Sequence, residues 1–390
     1  MLKIKLLPIV LTAALLTGCN TYEQKKEAAQ VRWEKATAKA KVTVAQEFFQ
    51  NNRYPEAEKT LVDAIESDPQ LASAHLLMGK LQFVQAKIDS AKKFFSASVA
   101  LDKDMHQGWY FKGLIDQQEK NLEDALVNYK KAMAIQPDSV EYITAVVQMY
   151  AAGEDYLSAT GLLETKIRLL PDKSELRLTK AEMLLRLGEL KGAIEQYNAV
   201  LLFEGDDRSV LESLAYCYIM DKQFSSAADV FEKLTATATV EKKKTYLQML
   251  AMCSMNAGQY ERAAGYYDQL SPDKRDDARM WLQMGQAALG ANAPVRALAC
   301  ASRTLELKPG WSEAIILRGC AQYINDDYNN AIQTFKRVIS NDKKAGFAWL
   351  MTGRCYQQLG NDELAEKAYD NAARLSPDSK LLSLLADKKK

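Results

Sequence analysis

One small residue keeps step along almost the whole chain. Alanine stands at Ala57, Ala91, Ala125, Ala159, Ala193, Ala227, Ala263, Ala297, Ala331 and Ala365. The spacing is 34 residues throughout, except for 36 between Ala227 and Ala263. A fixed period of this length belongs to a stack of repeated supersecondary units, each burying its core against its neighbours. Such a chain needs no central core, so its 390 residues do not imply two or three globular domains.

The stretch from His106 to Ser139 shows what one repeat contains. Apolar residues recur three and four apart in each half, so two amphipathic helices are expected, joined by a polar turn at Lys120-Asn121. Pro137 ends the second helix. Twelve residues before each alanine the side chain is again small, as in Gly79, Gly113, Gly285, Gly319 and Gly353; Val147 is the exception and should widen its crossing. Four residues after each alanine an aromatic is common, as in Phe95, Tyr129, Phe231, Phe335 and Tyr369, with Leu61, Leu163 and Ala301 as departures. Small residues let paired helices approach to about 8–10 Å, and a large side chain one turn on fills the space beside them.

The pattern of Trp109, Gly113, Ala125, Tyr129 and Pro137 resembles the tetratricopeptide repeat. The resemblance implies an all-α, right-handed superhelical solenoid of ten helix-turn-helix repeats. Their bounds are 38–71, 72–105, 106–139, 140–173, 174–207, 208–243, 244–277, 278–311, 312–345 and 346–379. The two-residue insertion near 235–244 should change the pitch and split the array into six repeats plus four. Leu381, Leu382, Leu384 and Leu385, in segment 380–390, have the composition of a closing cap.

The first 18 residues place Lys3 and Lys5 ahead of an apolar run from Leu6 to Leu16 that is too short for an ordinary membrane span. That is the order of a secretory signal. Leu16-Thr17-Gly18-Cys19 resembles a bacterial lipobox. The resemblance implies that Cys19 becomes the mature N-terminus, with diacylglycerol on its sulfur and a further acyl chain such as palmitate on its amine. A protein so modified is expected in the periplasm, and Asn20 in place of Asp favours the outer membrane. Residues 19–37 then form a flexible tether or a helix leading into the first repeat, with Ala28, Val31, Trp33 and Ala36 hinting at packing.

The 51 basic and 50 acidic residues leave a net charge of +1, which supplies no electrostatic attraction to nucleic acid. His75 and His106 are the only histidines and read as surface or interface side chains rather than catalysts. Asp206-Asp207 and Asp326-Asp327 fall in turns between helices and read as helix caps and solvated loops. No nucleophile elbow, phosphate loop or metal-ligand spacing is present. The chain therefore reads as no enzyme, with no cofactor beyond the lipid and no small-molecule substrate. Cys217, Cys253 and Cys355 share one slot as small buried thiols; Cys300 and Cys320 lie on successive helices and are either buried thiols or one disulfide.

What remains is a binding wall. In the family, five positions of each first helix line the concave side. Those positions hold Phe49, Leu76, Phe83, Tyr110, Leu114 and Leu185 in the first half of the chain. In the second half they hold Tyr216, Ile219, Met220, Met252, Met255, Leu282, Tyr323, Phe347 and Leu350. Polar members include Lys80, Gln117, Gln118, Gln148, Glu182, Arg279, Arg354 and Gln357. Methionine and aromatic side chains suit a groove that grips protein or peptide segments. The expected function is a membrane-anchored periplasmic interaction scaffold, similar to the lipoproteins that assist pilus or secretion assembly. An adaptor for cell-wall hydrolases or proteases and a scaffold in exopolysaccharide export are the alternatives.

Overall fold

The computed structural model describes residues 7–270, 275–341 and 345–375, with side chains from Tyr22 onward. It divides into two compact units, 1–189 and 190–390. The described residues of the N-terminal unit form α1 (Leu7–Gln50), α2 (Tyr54–Ser67), α3 (Ala72–Val84), α4 (Ile88–Leu101), α5 (His106–Gln118), α6 (Leu122–Ile135), α7 (Val140–Ala152), α8 (Tyr156–Leu169) and α9 (Ser174–Leu187). Those of the C-terminal unit form α10 (Leu190–Glu204), α11 (Arg208–Met220), α12 (Phe224–Ala236), α13 (Val240–Asn256), α14 (Tyr260–Leu270), α15 (Ala278–Gly290), α16 (Pro294–Leu307), α17 (Ser312–Ile324), α18 (Tyr328–Asn341), α19 (Gly346–Gln358) and α20 (Asp362–Leu375). The described residues are thus all-α, and within each unit consecutive helices pair as the 34-residue period requires.

The recurring alanine is buried in every hairpin. Opposite it, the small residue and the aromatic meet across the crossing. A methyl group added to Gly79 would lie 2.7 Å from the Phe95 ring; on Gly113 it would lie 2.6 Å from Tyr129, and on Gly319 2.6 Å from Phe335. These glycines are therefore required by close approach. Where the small residue grows, its partner shrinks: Val147 is fully buried in one cluster with Ala159 and Leu163. At the departure Ala301 the vacated space is taken by the next hairpin, since a methyl on Gly285 would strike Leu317 at 2.6 Å.

Each hairpin turn closes in the same way. In α5–α6 the Lys120 amide donates to the Gln117 carbonyl at 3.0 Å, and the Asn121 amide donates to the Asp116 carbonyl at 2.8 Å. This double bond pattern is the Schellman closure, which puts one residue in the left-handed region. That residue is Gly188, Gly258 or Gly360 in three turns, but Asn52, Ala86, Lys120, Glu154, Lys222, Asn292 or Asp326 in the others. Ala86, at φ 58°, bears the Cβ penalty with no polar side chain to offset it. Ala86→Gly should therefore raise stability by about 0.5–1 kcal/mol, read as a higher urea midpoint.

One expectation changes, and two alternatives left open by the sequence resolve, to a helix ahead of the first repeat and to free thiols. The insertion near 235–244 makes no break: it lengthens α13 to 17 residues, and the division into units falls instead between Glu189 and Leu190. Residues 22–37 are neither slack nor packed. They continue α1, and Trp33 is 70 % exposed. The reason is length, because the 14-residue α2 covers only the last turns of α1 and Ala38 is the first fully buried side chain. Finally, Cys300 and Cys320 are free, as are Cys217, Cys253 and Cys355. Residues 1–6, the side chain of Cys19 and the cap at 380–390 lie outside the described residues.

Candidate functional site: the first-helix wall

Several first helices touch the next one within their unit: α1 meets α3, α3 meets α5 and α7 meets α9 in one, and α15 meets α17 and α17 meets α19 in the other. Like helices that approach on one side curve the stack toward that side. Along α1, α3 and α5, along α7 and α9, and along α15, α17 and α19 the first helices are therefore the inner side of the stack.

In the N-terminal unit the wall is aromatic and its polar members are held. Tyr110 lies 5.0 Å from Tyr142 and 5.5 Å from Tyr129, ring centre to ring centre. Burial pushes the Tyr110 hydroxyl up to about 12, and Glu141 beside it acts the same way. Lys80 donates to Gln107 at 2.7 Å and sits 5.3 Å from the centre of the Phe111 ring. Burial lowers its ammonium pKa, against the pull of Glu141. The Tyr129 hydroxyl donates to Gln117 at 2.7 Å. Phe49, Phe83, Leu114 and Leu185 are half-buried along this face.

The C-terminal unit presents more open apolar surface. Tyr216 is 47 %, Met220 62 % and Phe347 46 % exposed, while Ile219, Met252, Met255 and Tyr323 are half-buried. Glu212 accepts from Lys242 at 2.7 Å and also from the Tyr246 hydroxyl. Those two hydrogen bonds hold its carboxyl below the usual range. Gln357 accepts from Tyr369 at 2.9 Å, repeating the bond between Tyr129 and Gln117. Wall amides pinned by the aromatic knobs, with apolar side chains between them, form a pre-ordered surface.

Three wall residues expected from the sequence do not face open space. Leu76, Leu282 and Leu350 are buried. All three occupy the fifth position of their helix, which turns toward the neighbouring hairpin. Leu76 packs with Ala91, Phe95 and Ile115; Leu282 packs with Ala301, Ala314 and Leu317. The histidines stand at interfaces: His106 Nδ1 lies 2.7 Å from the Tyr142 hydroxyl and His75 Nε2 2.9 Å from the Pro69 carbonyl. Asp207 caps α11, accepting from the Ser209 and Val210 amides at 2.8 and 3.1 Å.

Models of the tetratricopeptide repeat match residues 106–139, 250–310 and 316–380. Over those stretches the chain therefore carries tetratricopeptide repeats, and proteins with this repeat act as protein-interaction scaffolds. Among curated relatives, Protein bimA of Emericella nidulans is 27 % identical over 115 residues, 30 % of this chain and 14 % of that protein. BBSome complex member BBS4 of Bos taurus is 25 % identical over 199 residues, 50 % of this chain and 38 % of that protein. The chain thus spans well under half the length of either. Among solved structures, Naa15/Naa10 bound to HypK aligns with TM-score 0.48 at 12 % identity, covering 88 % of this chain and 64 % of that one. Pseudomonas aeruginosa pilF aligns with TM-score 0.43 at 17 % identity, covering 52 % and 92 %. Among the described residues no helix is long and apolar enough to cross a membrane.

Proposed function

We propose that this protein is a lipid-anchored periplasmic scaffold whose first-helix wall grips segments of other proteins while an envelope machine, such as a pilus or secretion system, is assembled. The observation that carries the binding part is the open apolar surface of Tyr216, Met220 and Phe347 beside polar neighbours already held in hydrogen bonds. Large side chains left this exposed favour a partner that covers them. The anchor and the compartment rest on Leu16-Thr17-Gly18-Cys19 behind a charged and apolar leader.

Tyr216→Glu combined with Met220→Glu should leave the helical circular dichroism unchanged. It should also reduce capture of envelope proteins by in-cell crosslinking at least tenfold. Unchanged crosslinks would move the binding site off this wall. Cys19→Ser should abolish labelling by a clickable palmitate analogue and release the protein from the membrane fraction; a variant still labelled and still sedimenting with membranes would refute the anchor.

A further inference from the structure

On the side of the second helices, the N-terminal unit carries a cleft of about 590 Å³ formed by α4, α5 and α6. Val99, Ala100 and Ile135 give it an apolar floor, and Trp109 forms one wall. Lys103 and Lys131 stand on its rim. The Trp109 ring is fixed by its indole N–H, which donates to the Lys103 carbonyl at 2.9 Å. Lys131 Nζ lies 4.1 Å from the ring centre and Lys112 Nζ 5.5 Å from it.

The C-terminal unit repeats the tryptophan and one of its two cations, with Met284 in the place of Lys112 and the remaining charge already neutralised. Trp281 holds the place of Trp109, and its indole donates to the Arg275 carbonyl at 2.9 Å. Arg303 holds the place of Lys131. It is paired with Asp276 at 3.3 Å and with Glu306, three residues along its own helix, at 3.0 Å. In the N-terminal unit the place of Glu306 is taken by Ala134, which is exposed on the cleft. Asp104 occupies the place of Asp276, but Lys131 has no carboxylate partner among the described residues. Lys112, half-buried, bonds only the neutral Ser96 hydroxyl at 3.3 Å. Burial lowers its pKa, the Lys131 and Lys92 charges push the same way, and Asp116 and Asp124 oppose them.

The geometry points to the Trp109 cleft as a second docking site, one that takes an acidic segment of a partner protein. A glutamate or aspartate side chain would enter where Glu306 sits in the other unit and pair with Lys131 and Lys112. A neighbouring leucine-sized side chain would cover Val99, Ala100 and Ile135. Two lysines held over an indole, neither bonded to a carboxylate among the described residues, are the charge half of this complementarity. The apolar floor is the other half, and it favours a peptide over a small anion.

The test uses the full-length protein and a fluorescein-labelled heptapeptide of alternating glutamate and leucine, read by anisotropy. Binding is expected, at least tenfold weaker for the peptide with glutamine in place of glutamate and for the one with alanine in place of leucine. Ala134→Glu installs the internal carboxylate of the other unit on an exposed helix face and should weaken binding at least tenfold; Lys131→Gln should do the same. The Tyr216→Glu/Met220→Glu variant should bind the peptide normally, which separates this cleft from the wall. Equal binding of the glutamine peptide, or binding unaffected by both Ala134→Glu and Lys131→Gln, overturns the proposal. So does phosphatidylglycerol vesicle binding that Ala134→Glu abolishes while the peptide fails to bind, since the cleft would then serve a lipid surface.

Discussion

Gly113→Val should destabilise the third repeat by roughly 2–3 kcal/mol, because its branched side chain would enter the space held by Tyr129. The added Cβ alone would lie 2.6 Å from that ring, which is fully buried. Tyr129→Leu should also be destabilising, by roughly 1–3 kcal/mol, since it removes ring volume and the hydrogen bond to Gln117. The two together should not add. Val147 facing Leu163 shows that the fold accepts valine against leucine at this crossing. A favourable coupling of roughly 1–2 kcal/mol is therefore expected in the double-mutant cycle. Unfolding of a repeat array is not two-state in general, so hydrogen exchange of the α5 and α6 amides is the appropriate readout beside the urea midpoint. Strict additivity would mean that the glycine and the ring do not share one space.

The second large effect concerns the thiols. Cys253, Cys300 and Cys320 are pushed up to about 11, and Cys355 to about 12, with burial the leading cause in each. Burial raises Cys217 as well. At pH 8 a thiol of pKa about 11 is thiolate only about one part in a thousand, whereas an ordinary cysteine is roughly one quarter thiolate. In the Cys19→Ser protein, Ellman's reagent should find no fast-reacting thiol in the native state. In denaturant without reductant it should find all five of Cys217, Cys253, Cys300, Cys320 and Cys355. A count of three on unfolding would mean a Cys300–Cys320 bridge. Fast native labelling at any of the five would mean that its hairpin opens readily.

Much of this architecture could be read before any coordinate, and the reason is steric. Ala125 and Gly113 stand where two backbones cross, and no larger side chain fits there without a matching loss opposite, so the period survives in the letters. The turns were harder to see. A left-handed residue is legible when it is Gly188, but Ala86 and Lys120 adopt the same backbone because the Schellman bonds on either side impose it. The wall was legible in phase and blurred in depth. Leu76 and Leu282 share the first-helix face, but they are covered by the following hairpin, and only the curvature of the stack decides that. The lysine-rimmed cleft was missed for another reason. The exchange of Glu306 for Ala134 acquires meaning only once Lys131 is found above the Trp109 ring.

The long first helix has a mechanical consequence. Among the described residues no helix is laid against its stretch ahead of Ala38, yet from Tyr22 to Thr37 it is continuous, a rod of roughly 24 Å at the usual rise per residue. A coil of the same length would let its two ends wander from contact to full extension. A rod instead transmits both spacing and bearing, so anything fastened before Tyr22 would hold the first hairpin at a set height.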